Sequence, residues 1–165
     1  MPARRDFFRE LDPARLGDHL DRLYRAAYAL CGSREEAEDL VQETYVRVLT
    51  RRRLLRREDD LAYLLRALRN TFVAGRRPLR ARVAHAPLDE ELDRSPGPGP
   101  EEVVEQRRVY GAIAELPPDF RDAIVAIDVA GLSYSEAARA LRVPEGTVTS
   151  RLARARTQVA ERLGQ

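Results

Sequence analysis

Residues 131–156 read GLSYSEAARALRVPEGTVTSRLARAR, and this stretch decides the fold of the C-terminal part of the chain. Ser133 and Glu136 have the three-residue spacing of a capping box, which predicts the start of a short helix. A turn over residues 142–146 follows, and a final helix then places apolar residues on one face. These residues are Val148, Leu152, Ala155, Val159 and Leu163. Two short helices joined this tightly predict a helix-turn-helix unit.

The outward face of the final helix carries side chains that can hydrogen-bond to bases and phosphates. They are Thr147, Thr149, Ser150, Arg151, Arg154 and Gln158, with Arg142 and Arg156 placed to hold the flanking backbone. The second helix of a helix-turn-helix enters the major groove of DNA, where hydroxyl, amide and guanidinium groups are needed. The alternative is a solvated amphipathic helix in a bundle, because exposed arginines are common. The capped helix and short turn before it favour DNA binding.

Two more helices are predicted upstream, over about residues 101–116 and 119–129. Pro117 and Pro118 end the first of them, and Gly131 closes the second.

Proline and glycine dominate the middle of the chain. Five of the ten prolines lie between Pro78 and Pro100, together with an acidic run at residues 89–93. Such a segment cannot hold a helix or a sheet ladder. Residues 81–103 are therefore predicted to be a flexible linker between domains at 12–80 and 104–163.

The N-terminal domain has three apolar stripes with helical spacing. Gly32 ends the first helix, and Ser33 with Glu36 predicts a capping box for the second. The stripes are Leu16, Leu20, Leu23, Tyr24, Ala27 and Leu30; Ala37, Leu40, Val41, Thr44 and Val48; and Leu61, Leu64, Leu65, Leu68 and Phe72. No segment alternates as a strand does. The predicted fold class is all-α, with a three-to-four-helix bundle and a helix-turn-helix domain joined by a proline- and glycine-rich acidic linker.

Composition excludes several classes of protein. The 165 residues are 44% hydrophobic and 34% charged, which is typical of a soluble folded chain. No run approaches the roughly 18 apolar residues of a membrane span, so a cytoplasmic location without membrane insertion is expected. Cys31 is the single cysteine and His19 and His85 are the two histidines. We expect no disulfide, metal site, cofactor or enzymatic activity, because a clustered ligand set and a partnered histidine are missing.

Two groups of short motifs resemble the extracytoplasmic-function (ECF) sigma factors of bacterial RNA polymerase, over about residues 15–163. The first group is EDLVQETY at 38–45, Tyr63-Leu64, and RNTF at 69–72. The second is Leu116-Pro117 with Arg121, GLSY at 131–134, EAA at 136–138, GTV at 146–148, SRL at 150–152 and RAR at 154–156. Each motif alone is only moderately specific. Both groups, in this order across a proline-rich linker, are strongly specific.

The resemblance implies that the two domains have different binding roles. The first would dock on the polymerase clamp and open the minus-ten promoter element, and the second would bind the polymerase flap and the minus-thirty-five element. The implied partners are core RNA polymerase, promoter DNA and an anti-sigma factor. The acidic linker would thread toward the RNA exit path or serve as a plain spacer.

The resemblance also implies three sets of contact residues. The polymerase-binding set is Asp39, Leu40, Gln42 and Glu43. The minus-ten set is Arg52, Arg53, Arg56, Arg57, Tyr63, Arg66 and Asn70. The minus-thirty-five set is Arg142, Thr147, Thr149, Ser150, Arg151 and Arg154.

Some of these roles keep an alternative. The acidic patch on the second helix would also suit a solvated face, and Tyr63 either stacks on an unpaired base or packs. Ala74 stands where the family usually has a polar residue, and the loop 51–60 is unusually rich in arginine. The preference for minus-ten bases therefore stays open.

Two rival functions remain. A helix-turn-helix regulator that does not act as a sigma subunit would share the C-terminal domain, but would carry a sensing or dimerising N-terminal domain. A degenerate sigma-like protein would bind polymerase without initiating transcription.

Overall fold

The computed structural model describes residues 8–50, 54–56, 60–79 and 99–164. Within these ranges the chain forms seven α-helices, a 3₁₀ helix, a π-helical turn and two short strands. The helices are α1 (Leu20–Cys31), α2 (Arg34–Leu49), α3 (Asp60–Leu79), α4 (Pro100–Ala114), α5 (Pro118–Ile124), α6 (Tyr134–Leu141) and α7 (Glu145–Leu163). The 3₁₀ helix Pro13–His19 precedes α1, and the π-helical turn Val125–Val129 continues α5. The predicted all-α fold class is confirmed.

The structure also contains a small antiparallel ribbon, for which the sequence shows no alternating pattern. Its strands are β1 (Phe8–Glu10) and β2 (Leu54–Arg56), with Phe8 opposite Arg56 and Glu10 opposite Leu54. Three residues are too few to show an alternating pattern, and the two strands are far apart in the sequence. The ribbon joins the segment before α1 to the segment between α2 and α3.

Local signals fix the ends of the first helices, as predicted. Gly32 adopts the left-handed conformation with φ of 74°, and its backbone N–H donates to the carbonyl of Tyr28 at 2.7 Å. Ser33 then accepts a hydrogen bond from the backbone N–H of Glu36 at 3.4 Å and caps α2. Because a left-handed residue ends one helix and a serine starts the next, α1 and α2 form a tight helical hairpin.

The apolar stripes of the N-terminal half (residues 8–79) form its core. Leu23, Leu30, Leu64 and Leu68 are fully buried. The predicted stripes of α2 and α3 are buried throughout, including Thr44, whose hydroxyl donates to the carbonyl of Leu40 at 2.7 Å. Leu20 is an exception because 45% of it is exposed. Leu20 is the first residue of α1.

The C-terminal half (residues 99–164) is the predicted helix-turn-helix with two supporting helices. Gly131, with φ of 74°, leads out of the π-helical turn, and α6 and α7 follow with a short turn between them. Val148, Leu152, Ala155 and Val159 are buried along the inner face of α7. Helix α4 begins at Pro100, within the stretch 81–103 that was predicted as linker. Residues 80–98, which hold most of that linker, lie outside the described residues.

The two halves pack against each other. Helix α1 contacts α4 and the π-helical turn, and α3 contacts α6. The sequence predicted two domains on either side of a linker and gave no indication of this packing.

The start of α6 is a complete capping box. The hydroxyl and the backbone N–H of Ser133 both donate to Oε2 of Glu136 at 2.7 Å, and the backbone N–H of Glu136 donates to the Ser133 hydroxyl at 3.3 Å. These hydrogen bonds to Ser133 lower the pKa of Glu136 below its ordinary value. The carboxylate is therefore bound more strongly in the folded chain than in the unfolded chain.

We expect Glu136→Gln to destabilise the chain in a pH-dependent way. The stabilisation from Glu136 is fully present above its ordinary pKa of 4.5 and is lost as the pH falls through the lowered pKa of the folded state. The substitution should lower the free energy of unfolding at neutral pH by at most about 1 kcal/mol, since the carboxylate is only partly shielded from solvent. Urea unfolding of both proteins at neutral pH and in acid measures the difference. Glu161→Gln controls for loss of a charge, and a difference that grows in acid would contradict the assignment.

We expect Arg142→Gly to stabilise the chain. Arg142 follows α6 with φ of 57° and ψ of 44°, a left-handed conformation that strains any side chain with a Cβ atom. Glycine should remove that strain and raise the free energy of unfolding by about 0.5 to 1 kcal/mol, measured by urea unfolding. The matched control, Arg154→Gly within α7, should lower it by about 1 kcal/mol. A destabilising effect of Arg142→Gly would show that the arginine side chain outweighs the backbone strain.

Candidate nucleic-acid interface

The outward face of α7 presents the polar side chains that the sequence predicted. Thr149, Ser150 and Arg154 are exposed, and Thr147 is half-buried near the start of the helix. The hydroxyl of Thr149 donates to the carbonyl of Glu145 at 3.0 Å, and that of Ser150 donates to the carbonyl of Thr147 at 3.1 Å. Each hydroxyl would have to rotate away from the helix backbone before it could donate to a phosphate.

Two arginines of α7 are held by carboxylates of neighbouring elements. The guanidinium of Arg151 lies 2.8 Å from Oδ2 of Asp119, at the start of α5. Arg156 donates to both carboxylate oxygens of Asp128, at 2.9 and 2.7 Å. These bonds and the charge of Asp128 raise the pKa of Arg156 further above its ordinary value. The sequence analysis suggested that Arg156 contacts the DNA backbone. It gave no indication that Asp119 or Asp128 would pair with these arginines.

Arg142 and Arg154 complete the predicted set on this face. Both are exposed, and within the described residues no ion pair involves either of them. The helix-turn-helix therefore displays two unpaired guanidinium groups beside the paired Arg151. Guanidinium groups at this position of a recognition helix suit phosphate oxygens and the acceptor edge of guanine.

A second surface lies on α2. Asp39, Gln42 and Glu43 are exposed, and Glu43 forms a 2.6 Å ion pair with Arg47 one turn later. Leu40, predicted to belong to the same surface, is 7% exposed and packs in the core. This is a correction: Leu40 points inward because it shares a helical face with Ala37 and Thr44.

Sequence reasoning missed two apolar residues of this surface. Val46 is 62% exposed and Leu49 is 53% exposed, and both continue the face of Asp39 and Gln42 at three- and four-residue steps. This spacing in the sequence could have identified both residues as part of the surface. We name the exposed set Asp39, Gln42, Glu43, Val46 and Leu49 the α2 face.

The structure brings three residues of the predicted minus-ten set together on α3. Tyr63 is half-buried, and the guanidinium of Arg66 lies 5.7 Å from the centre of its ring. Asn70 is exposed one turn further along the same face. Tyr63 therefore both packs against the core and offers part of its ring to the surface. Of the other members, Arg52, Arg53 and Arg57 lie outside the described residues, and Arg56 lies in β2 with its side chain undescribed.

Within residues 8–50, 54–56, 60–79 and 99–164, no three or more His, Cys, Asp and Glu side chains are grouped so as to hold a metal ion. In those ranges no helix is both long and apolar enough to cross a membrane. Cys31 is half-buried, and His85 lies outside the described residues.

Comparison with known proteins gives matches over both halves. The family model for sigma-70 region 2 matches residues 16–82, and the model for sigma-70 region 4 matches residues 106–159. The ECF RNA polymerase sigma factor SigE of Mycolicibacterium smegmatis is 39% identical over 153 residues, which are 89% of this chain and 59% of that protein. The ECF RNA polymerase sigma factor EcfG of Rhodopseudomonas palustris is 33% identical over 134 residues, which are 81% of this chain and 74% of that protein.

Solved structures agree with the sequence relatives. The sigma factor RpoE of Bartonella quintana, in complex with the anti-sigma factor NepR, superposes with a TM-score of 0.69 and 26% identity, over 92% of this chain and 95% of its own. CnrH, in complex with the cytosolic domain of CnrY, superposes with a TM-score of 0.63 and 23% identity, over 90% of this chain and 84% of its own, and shows the shared fold. The chain belongs to the ECF family of RNA polymerase sigma factors.

Proposed function

We propose that this chain is an alternative sigma factor, which binds core RNA polymerase and directs initiation at promoters of a particular sequence. The observation that carries the proposal is the presence of two exposed surfaces of different chemistry on one chain. The outward face of α7 suits DNA, and the α2 face suits a protein. The chain spans 59% of the length of SigE, so the activity of the whole protein is proposed rather than transferred.

The α2 face has the composition of a protein interface. Its acidic and amide side chains precede Val46 and Leu49 along the helix, and these two large apolar side chains are more than half exposed. Large apolar side chains left exposed beside polar ones are typical of surfaces that another protein covers. We assign this face to the polymerase clamp, with Asp39, Gln42 and Glu43 as its polar contacts.

The outward face of α7 is assigned to the minus-thirty-five element. Arg151 is 27% exposed and its partner Asp119 is 60% exposed, so the ion pair is open to water. Exposed pairs of this kind contribute at most about 1 kcal/mol and can be exchanged for a phosphate or a guanine edge. Arg154, Arg142, Thr147, Thr149 and Ser150 would contact the bases and the flanking backbone.

The face of α3 is assigned to the minus-ten element. The half-buried ring of Tyr63, with the guanidinium of Arg66 beside it, would stack on an unpaired base, and Asn70 adds an amide that can read a base edge. The phosphates would be held by Arg52, Arg53, Arg56 and Arg57. In this assignment the chain supplies binding energy for strand opening and has no enzymatic activity of its own.

Control of the protein is part of the proposal. Because a solved relative was captured with the anti-sigma factor NepR, we propose that an anti-sigma factor also holds this chain inactive. Core polymerase and chromosomal promoters lie in the bacterial cytoplasm, so we place the chain there.

Binding to core RNA polymerase, followed by run-off transcription from a library of promoter fragments, tests the proposal. The expected result is co-purification with core polymerase and transcripts that depend on both the chain and the promoter sequence. Binding to DNA without any association with core polymerase would instead identify a helix-turn-helix regulator. Association without transcripts from any fragment would identify a degenerate sigma-like protein.

Arg151→Ala should weaken binding of the holoenzyme to promoter DNA by about 1 to 3 kcal/mol, because a base-reading guanidinium is lost. Association with core polymerase should not change. Gel-shift titration against a selected promoter and pull-down with core polymerase measure the two properties. Arg107→Ala, which removes an exposed arginine from α4, is the matched control and should leave both unchanged. A lower free energy of unfolding together with unchanged DNA affinity would show that Arg151 has a structural role.

The double substitution Asp39→Ala and Gln42→Ala should have the reverse effect. It removes one carboxylate and one amide from the α2 face, and we expect at least about tenfold weaker binding to core polymerase, or about 1.4 kcal/mol. Binding of the isolated chain to duplex DNA should be retained. Glu105→Ala with Gln106→Ala removes the same two groups from exposed positions of α4 and is the control. If the control weakens polymerase binding equally, the α2 face is not the contact.

A further inference from the structure

Three small side chains form a line on the outward side of α7. Thr149, Ala153 and Thr157 follow one another at four-residue steps, and all three are exposed. Four residues of an α-helix rise about 6 Å, so the line is about 12 Å long. This length corresponds to roughly three to four base pairs of DNA, at about 3.4 Å each. The sequence analysis placed Thr149 in the DNA-binding set and did not include the other two residues.

The hydroxyl groups of both threonines are bonded to the helix itself. The Thr149 hydroxyl donates to the carbonyl of Glu145 at 3.0 Å, and the Thr157 hydroxyl donates to the carbonyl of Ala153 at 3.1 Å. Each hydroxyl hydrogen is therefore occupied, and the γ-methyl group is the other tip of the exposed side chain. With the β-methyl group of Ala153 between them, the two threonines give a row of three methyl groups. We name this row the methyl ridge.

Two long side chains of α7 are drawn back toward α5. Arg151 pairs with Asp119 in α5, which packs on α7. Arg156 donates to both carboxylate oxygens of Asp128, in the π-helical turn that continues α5. Because these carboxylates hold both guanidinium groups, the small residues of the methyl ridge are left open to close approach by a partner.

A methyl group on a recognition helix has one distinctive partner in the major groove. Thymine carries a C5-methyl group on that edge, and the methyl groups of alanine and threonine can contact it. Adenine, guanine and cytosine present hydrogen-bonding groups on the same edge, which a methyl group cannot satisfy. The methyl ridge therefore favours thymine over the other bases.

We propose that Thr149, Ala153 and Thr157 read thymines of the minus-thirty-five element through their methyl groups. The proposal rests on the proposed function and makes it more specific. It adds two residues to the DNA-binding set, and it makes the methyl group of Thr149, instead of the hydroxyl, the group that reads the base. The chain selects minus-thirty-five elements that carry thymines, on either strand, within a segment of roughly three to four base pairs.

Deoxyuridine tests the proposal, because uracil pairs as thymine does but lacks the C5-methyl group. Duplexes are selected from a random pool by core polymerase that carries the chain. Each thymine of the selected minus-thirty-five element is then replaced singly by deoxyuridine, and gel-shift titration measures the affinity. We expect about threefold weaker binding at two or more positions, since a buried methyl contact is lost at each. Selected elements without thymine, or equal affinity for all the substituted duplexes, would overturn the proposal.

Paired substitutions separate the methyl group from the hydroxyl group. Thr149→Ser and Thr157→Ser each keep the hydroxyl and remove the methyl group, so each should abolish the uracil effect at one position. Thr149→Val removes the hydroxyl and keeps a methyl group, so the uracil effect at that position should persist. If valine abolishes the effect and serine does not, the hydroxyl is the reading group and the proposal is wrong.

Thr50→Ser is the matched control. Thr50 is an exposed threonine at the end of α2, and its hydroxyl also donates to a carbonyl four residues earlier, that of Val46, at 3.0 Å. The substitution removes the same methyl group from the N-terminal half, and every uracil effect should remain. Uracil effects that disappear equally in this control would count against the assignment to the methyl ridge.

The proposal and the proposed function fail differently. If polymerase with the chain transcribes from the selected promoters but no uracil effect depends on the methyl ridge, only the reading of thymine is wrong. If the chain selects duplexes without associating with polymerase, the proposed function is wrong, and the same uracil scan on those duplexes still judges the methyl ridge. Selection of no duplex by either route would overturn both.

Discussion

Arg121 is a buried guanidinium on which both halves of the molecule depend. Its Nη1 donates to the carbonyl of Ala114 at 3.1 Å, which ties the end of α4 to α5, and its flat face lies over Phe72 of α3. Burying a cation is unfavourable unless charge and hydrogen bonds compensate for lost hydration. The adjacent Asp122 supplies the charge and is itself bound by Arg69. The corner between α4 and α5 and the position of α3 are therefore linked through one side chain.

Carboxylates also bind arginine side chains of α7. Asp119 and Asp128, at the two ends of the α5 segment, hold Arg151 and Arg156 of α7. Both arginines are thereby positioned while much of their charge is neutralised. Arg142 and Arg154 are left as the more available cations of the helix-turn-helix. In the proposed DNA complex, a base contact by Arg151 would require it to exchange Asp119 for the base.

The two proposed interfaces of the N-terminal half differ in their accessibility. Helix α2 packs mainly on α1 and α3, so the α2 face remains open to a protein partner. Helix α3 packs on α6 in the C-terminal half, which brings the candidate minus-ten helix against the helix-turn-helix.

Periodic local signals determined most of the fold from the sequence alone. The stripes of α2, α3 and α7, the ends at Gly32 and Gly131 and the capping box at Ser133 all act within a turn or two of the chain, and each was predicted. The outward set on α7 follows from the same periodicity. The family followed from the order of two groups of motifs, which a single helix could not have supplied.

Tertiary structure alone decided which polar groups pair across the fold. The short ribbon, the pairs of Asp119 and Asp128 with arginines of α7, and the contact of Arg69 with Asp122 join residues that are distant in the sequence. The packing of the two halves was also decided by the tertiary structure, since local sequence patterns carry no information on how two helical units meet.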